Sequence, residues 1–377
     1  MAYTRKGMKL LYLDFNLPYL IKDMDYPVGG AAVEWYAWIK GFVSNNHGVG
    51  LLTFKGAKRY INKELSFDIV ETYGIDEGIP KLRLFYKRIP AIFLAVQRYK
   101  PDYLIQECAG FETGLMAFIA KVLGIPFVYR VANDIDTDGR YKERLTRYQQ
   151  IAYLFGIKHA DIILCQNNYQ YKKIKEMFPD KNVAKIYNPY FNDGPLPGLV
   201  RKKDRRYVAW IGIFQKQKNL PALLEIARRS PDIEFLVAGS PCLTLDDETA
   251  SALNKLKECR NVRFVGYLKR SEIIPFLSNA YALLNTSHYE GFSNTFLEAF
   301  LAGTPVVTTR KIDPDDIISN NGLGVISDDY DAIPALLFSL IKDRYYDDIP
   351  PRCRDYVLKN HDPAVLASRF INILEGF

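Results

Sequence analysis

Short runs rich in β-branched and aromatic residues alternate with longer amphipathic runs along almost the whole chain, and this alternation leaves few folds open. Strands are expected at 9–15, 49–54, 102–106, 126–131, 161–165 and 183–187, with helical patterns between most of them. Strands separated by helices pair in parallel through right-handed crossovers, and the helices then cover both faces of the sheet. The series breaks at 192–198, a run of Asn, Asp, Gly and Pro, and at the basic cluster 201–206. Turn formers followed by like charges have the composition of a linker. Strand candidates resume at 207–211, 233–238, 262–265, 281–285, 305–308 and 324–326. The expectation is an α/β protein of two doubly wound domains, 1–198 and 199–362. Ligands of such sheets bind at the carboxyl ends of the strands, so two facing halves would place a cleft between them.

Composition adds exclusions. A chain of 377 residues, 48% hydrophobic and 25% charged, is ordinary for a globular protein and long enough for two domains. Its formal charge of +7 favours anionic partners, among them a nucleotide, an acidic membrane surface or a nucleic acid. No apolar run reaches the roughly 18 residues of a membrane-crossing helix, and the first residues lack a signal-peptide core. The expectation is a protein that stays in the compartment where it is made. Five scattered cysteines without a C-x-x-C pair, and four separated histidines, form neither a disulfide framework nor a zinc pattern. A reducing cytoplasm and no bound metal are expected.

Chemistry concentrates in Glu290-Gly-Phe-Ser-Asn-Thr-Phe-Leu-Glu298, continued by Ala299-Phe-Leu-Ala-Gly303-Thr304-Pro305-Val-Val307. The order is strand, loop, helix and stop. The first N–H groups of a helix lack intrahelical partners and its dipole is positive there, so such a mouth receives a phosphate or diphosphate. Gly291 lets the backbone approach an anion, and Phe292, Ser293, Asn294 and Thr295 supply further N–H groups. Glu298, expected in the first helical turn, can accept from paired hydroxyls such as those of a ribose. The same residues also read as a capping box, Thr295-x-x-Glu298, with Glu290 a solvated loop acid.

Other stretches open in the same way. In Gly212-Ile213-Phe-Gln-Lys216-Gln-Lys218-Asn219, a loop after a strand carries two lysines that can neutralise a diphosphate. Gly29 and Gly30 lie between the first strand and a helix, preceded by a long aromatic and charged loop, 17–26, that is a candidate acceptor contact. The strand before Asn133 and Asp134 runs into a polar, acidic loop where a substrate would be met. The stretch 81–100 mixes basic and aromatic residues as a surface docked on anionic lipid would, while 89–99 within it equally reads as a core helix begun by Pro90.

The string 290–307 resembles the E-x7-E signature of the retaining glycosyltransferases of family 4, the glycosyl transferases group 1. The match includes the Glu-Gly-Phe opening and the Glu-Ala-x-x-Ala-Gly-x-Pro-Val continuation. That resemblance implies a GT-B fold, two Rossmann-like domains facing across a cleft, with a last helix at 363–377 returning to the first domain. It implies transfer of a sugar from a nucleotide-diphosphate sugar, UDP- or GDP-linked, to a hydroxyl of a glycan or lipid-linked glycan, with retention at the anomeric carbon. No cofactor beyond the donor substrate and no nucleic-acid partner are implied. Glu290 would meet the donor sugar, Glu298 the ribose, and Lys218 the diphosphate with help from Lys216. Gly212, Gly239, Tyr267 and Leu268 would border the nucleotide. Gly29 and Gly30 would lie across from it, with Asn133 and Asp134 on the acceptor side. Two departures stand out: Ile213 occupies the place of the family's arginine, and Ala132-Asn133-Asp134 that of a frequent histidine. A nucleotide-sugar epimerase of similar fold and a non-catalytic carbohydrate- or polyanion-binding module are the rival functions.

Overall fold

The computed structural model describes residues 7–22, 29–60, 66–80, 82–242 and 244–377, and divides the chain into two compact units. The first comprises 1–191 with 362–377, the second 192–361.

The first unit holds a seven-stranded sheet: β1 (Lys9–Leu13), β2 (Gly48–Thr53), β3 (Asp68–Glu71), β4 (Tyr103–Glu107), β5 (Phe127–Arg130), β6 (Ile162–Cys165) and β7 (Asn182–Lys185). Their order is β3-β2-β1-β4-β5-β6-β7, and every pairing is parallel. Side chains alternate between two cores. Leu11, Leu104, Phe127 and Ile163 meet one layer of helices; Leu10, Ile105, Val128 and Ile162 meet the other, which includes Gly30–Ser44 and the last helix, Pro363–Gly376. Gly41 brings those two helices together, since an added Cβ would lie 2.1 Å from the Pro363 carbonyl oxygen. The strand β3 has no counterpart in the sequence expectations: it is a four-residue edge with a carboxylate at each end, too short and too polar to announce itself.

The second unit repeats the plan with β8 (Tyr207–Ile211), β9 (Phe235–Ala238), β10 (Val262–Gly266), β11 (Ala280–Leu284), β12 (Val306–Thr309) and β13 (Gly324–Ser327), ordered β10-β9-β8-β11-β12-β13 and parallel throughout. In each sheet the strand order reverses beside the first strand of its unit, at β1/β4 and at β8/β11. A crevice forms at the carboxyl ends of strands flanking such a switch point.

Candidate functional site

In the second unit the loops leaving β8 and β11 are laced together at the switch point. The β8 loop closes in a single 3-10 turn, Lys216–Lys218. It ends at Asn219, whose left-handed backbone (φ 52°) suits asparagine and whose side chain caps the helix Leu220–Arg228 by accepting from the Ala222 N–H. The β11 loop is bound to it by three contacts and to strand β8 by a fourth. The His288 N–H donates to the Gln217 carbonyl (2.9 Å), the Gln217 amide to the Tyr289 carbonyl (2.9 Å), the Thr286 hydroxyl to the Lys218 carbonyl (2.8 Å), and the Trp210 indole N–H to Thr286 Oγ1 (3.0 Å).

On this frame Lys218 Nζ lies 2.5 Å from Glu290 Oε1. That oxygen also accepts from the Ser287 hydroxyl at 2.7 Å, while Oε2 accepts from Gln217 at 3.3 Å. The two charged side chains keep 15% and 12% of their surface exposed, so the pair sits at a wetted mouth rather than in the core. The stem of Lys218 runs over Gly212, where an added Cβ would lie 3.4 Å from it and 3.1 Å from the Trp210 ring. Gly239, after β9, has φ +138°, and a Cβ there would fall 1.9 Å from the Gly212 carbonyl oxygen. Both glycines therefore let neighbouring loops close up. Lys216 is exposed and makes no ion pair among the described residues; its field reaches Asp246 and His288 instead. Tyr267 and Leu268 follow the edge strand β10, two strand positions out from β8.

The helix after Glu290 begins earlier than the capping-box reading requires. It spans Asn294–Leu301 with Ser293 as N-cap, so Thr295 is the second helical residue and Glu298 the fifth. Glu298 accordingly lies in the second turn, buried, and the first turn carries no acid. The Thr295 hydroxyl pairs with Ser293 Oγ at 2.8 Å rather than forming a box with Glu298. Gly291 and Ser293 are buried, and the Phe292 ring packs 5.3 Å from the His361 ring.

In the first unit the glycine-rich connection is not a strained turn. Gly29 is the N-cap of Gly30–Ser44 with φ −66°, and a Cβ there would meet nothing within 4 Å; Gly30 is the first helical residue. The preceding loop is described only as far as Lys22: it holds the helix Leu17–Ile21, whose entry Asp14 fixes by accepting from the Asn16 and Leu17 N–H groups. Residues 23–28 lie outside the described residues. Asn133 caps a 3-10 turn, Asp134–Asp136. Asp134 Oδ1 accepts from both Asn167 and Gln170 at 3.0 Å, and burial pushes its carboxyl up to about 7. Burial likewise raises Asp136 to about 6, although Arg144 sits 2.6 Å away.

Sequence reasoning missed the polar residues that organise these loops. Gln217 and Ser287 hold Glu290, and the Tyr330 hydroxyl donates to the Thr286 and Ser287 carbonyls at 3.0 Å each. Nothing in their spacing marks them. In the first unit the buried Arg130 went unnoticed because it ends an apolar strand that reads as core.

Fold and site together define a two-unit α/β protein with a charged mouth at the switch point of its second sheet. Residues 197–359, nearly the whole of that unit, match the family described as glycosyl transferases group 1. A lipopolysaccharide core biosynthesis glycosyltransferase of Rhizobium meliloti is 25% identical over 245 residues, 63% of this chain and 64% of the relative. The chain thus spans just under two thirds of that relative's length. Among solved structures, sucrose-phosphate synthase from Thermosynechococcus elongatus aligns with a TM-score of 0.76 at 15% identity over 98% of both chains. HepE from Anabaena, in complex with UDP and glucose, aligns at 0.73 and 14% identity over 98% of this chain and all of its own. These likenesses show the GT-B fold.

Proposed function

We propose that this chain is a glycosyltransferase that moves a sugar from a nucleotide-diphosphate sugar to a hydroxyl of a glycan or lipid-linked glycan, with retention of anomeric configuration. The observation that carries the reading is the Lys218–Glu290 pair, held at the mouth of the second sheet within the stretch matched by the family. The HepE complex with UDP and glucose and the lipopolysaccharide-core relative support the donor and acceptor classes.

In such a transfer negative charge gathers on the leaving diphosphate, and preorganised donors at that point lower the barrier. Backbone N–H groups of 291–295 and the ammonium of Lys218 take that task. A diphosphate competes with Glu290 for the ammonium because it carries more charge. Glu290, released in part, is left to face the donor sugar, while Glu298 accepts from the ribose. Asn133 and Asp134, with Gly29 and Gly30, belong to the acceptor side. The chemistry needs lysine and helix dipole rather than a metal, so activity is expected to persist in chelator. All five cysteines are free thiols, which suits a reducing cytoplasm.

The test is a thermal-shift panel of UDP- and GDP-sugars, followed by nucleotide release with acceptor glycans, since a ligand bound only by the folded state raises its stability. Stabilisation by one nucleotide sugar with acceptor-dependent release supports the reading. Donor conversion without acceptor would mean an epimerase, and salt-sensitive polyanion binding alone a non-catalytic module.

A further inference from the structure

In the first unit one carboxylate is held at the carboxyl end of the sheet by side chains whose orientation the backbone dictates. The strand β6 stops at Cys165, and the next helix, Asn168–Met177, is capped by Asn167, whose side-chain oxygen accepts from the Gln170 N–H at 2.8 Å. Gln170 Oε1 in turn accepts from the Gln166 N–H at 2.8 Å. Both amides are buried, and with each oxygen taken by a backbone donor each NH2 group is turned the other way, where it needs an acceptor. Asp134, four residues past the end of β5, supplies it: its Oδ1 accepts from Asn167 and from Gln170 at 3.0 Å each. That oxygen is fully engaged, whereas Oδ2 of this half-buried residue accepts from none of the described residues.

The surroundings limit what Oδ2 can accept from. Arg140 Nε donates to both oxygens of Asp138 at 2.9 Å, and Arg144 sits 2.6 Å from Asp136. Of the three aspartates of this loop, Asp134 alone has no cation in contact among the described residues, so a phosphate or carboxylate brought to it meets like charge. An uncharged hydroxyl instead donates to Oδ2. The Tyr169 hydroxyl donates to Asp138 at 2.8 Å, which fixes beside these aspartates a ring that is 42% exposed. A carboxylate oxygen next to an open aromatic face matches a pyranose, which carries hydroxyls on its rim and C–H groups on its faces.

We propose that Asp134 determines acceptor specificity: its Oδ2 takes a hydroxyl of the reacting sugar beside the Tyr169 ring and selects a sugar that is itself uncharged. This assignment rests on the transferase reading and adds to it the charge class of the acceptor. The nucleotide sugar that stabilises the full chain is offered with p-nitrophenyl hexosides, the corresponding hexuronides and hexose phosphates, and kcat/KM is read from nucleotide release. The pH is set at about 8, where a carboxyl raised to about 7 is ionised. Hexosides are expected to be used about tenfold better than their charged counterparts, or more. In Asp134→Asn the two buried NH2 groups still require an oxygen, so the new amide keeps its carbonyl toward them and turns its own NH2 outward, a donor where an acceptor stood. The hexoside kcat/KM falls about tenfold, chiefly through KM, while the charged acceptors lose nothing. Because both are measured on one preparation, their ratio does not depend on how much of the variant is folded. Asn167→Ser, which keeps the helix cap but removes one of the two donors to Asp134, raises the hexoside KM severalfold. Absence of stabilisation by every nucleotide sugar would fail the transferase reading itself. With a donor bound, a preference for hexuronides or hexose phosphates, use of none of the three classes, or a wild-type ratio in Asp134→Asn with the hexoside KM unmoved in Asn167→Ser would overturn the assignment.

Discussion

Arg130 and Lys218 each meet a glutamate at 2.5 Å near the carboxyl end of a parallel sheet, yet their surroundings give the two pairs opposite uses. Arg130, at the end of β5, is fully buried. Its guanidinium donates to Glu34 on the helix Gly30–Ser44 and to Asn188 (2.7 Å), with Glu107 at 3.9 Å. Glu34 also accepts from the Trp38 indole at 3.0 Å and from Gln166 at 3.2 Å. Two carboxylates facing one guanidinium cannot both stay charged in the core, and Glu107, desolvated and facing Glu34, is pushed well above the usual carboxylate range. This network ties a helix, three strand ends and the segment after β7 into one body. Lys218 and Glu290, by contrast, each keep an edge in water. The same type of sheet thus buries its charge fully in one unit and leaves it at a wetted mouth in the other.

Removing Arg130 should break the comparison most severely. Arg130→Met leaves Glu34 buried without its counter-ion, and breaking one side of a buried pair costs about 3–5 kcal/mol. The expected result is a lowered urea midpoint for the first unit; a loss below about 1 kcal/mol would place the network at the surface in solution. Lys218→Ala should act on function instead. Stability stays nearly constant while kcat/KM on one donor falls by about 2–4 kcal/mol in transition-state terms. Lys216→Ala, at a side chain with no ion pair among the described residues, should cost less at the same salt concentration. Equal losses for both lysines would reduce the effect to a general positive field.

A smaller effect is expected from Glu298→Gln, which keeps volume but weakens acceptance from hydroxyls. Donor affinity should drop by about 1.5 kcal/mol, the scale of one hydrogen bond to a charged group. Unchanged affinity, measured calorimetrically, would return Glu298 to a role in packing. The last effect concerns pH. Burial raises Asp134 to about 7 and Asp14 and Asp136 to about 6, all in the first unit. A carboxyl whose folded pKa lies above its unfolded one holds its proton more tightly when folded. Its contribution to stability is therefore full below about pH 4 and lost as pH rises toward about 7. Asp134→Asn should flatten that loss between about pH 4 and about pH 7, as read from urea midpoints. An unaltered slope would mean that Asp134 is ionised throughout.

The alternation of apolar runs was enough to read two parallel α/β sheets, and their strands fall within a few residues of the expected positions. What escaped was β3, half of whose four residues are acidic. The start of the helix at Asn294 rather than later also escaped, because Ser293 and Thr295 are equally good caps in a linear string. Arg205 is the plainest case. Within the 201–206 cluster it reads as a solvated linker charge, yet it is buried. It donates to the Gly303 carbonyl at 2.7 Å, the Ala280 carbonyl at 2.5 Å and Thr304 Oγ1 at 3.0 Å, pinning the entry of the second unit to the stop of the signature helix.

By itself the sequence determined most of the elements, their parallel pairing and the strand, loop and helix around 290–298, because periodicity, glycine stops and helix starts are properties of a few consecutive residues. The tertiary structure alone decided which charges are buried and which stay in water. A side chain's solvation depends on partners far away in the chain, 96 residues for Arg130 and Glu34 and 72 for Lys218 and Glu290, and no local pattern encodes them.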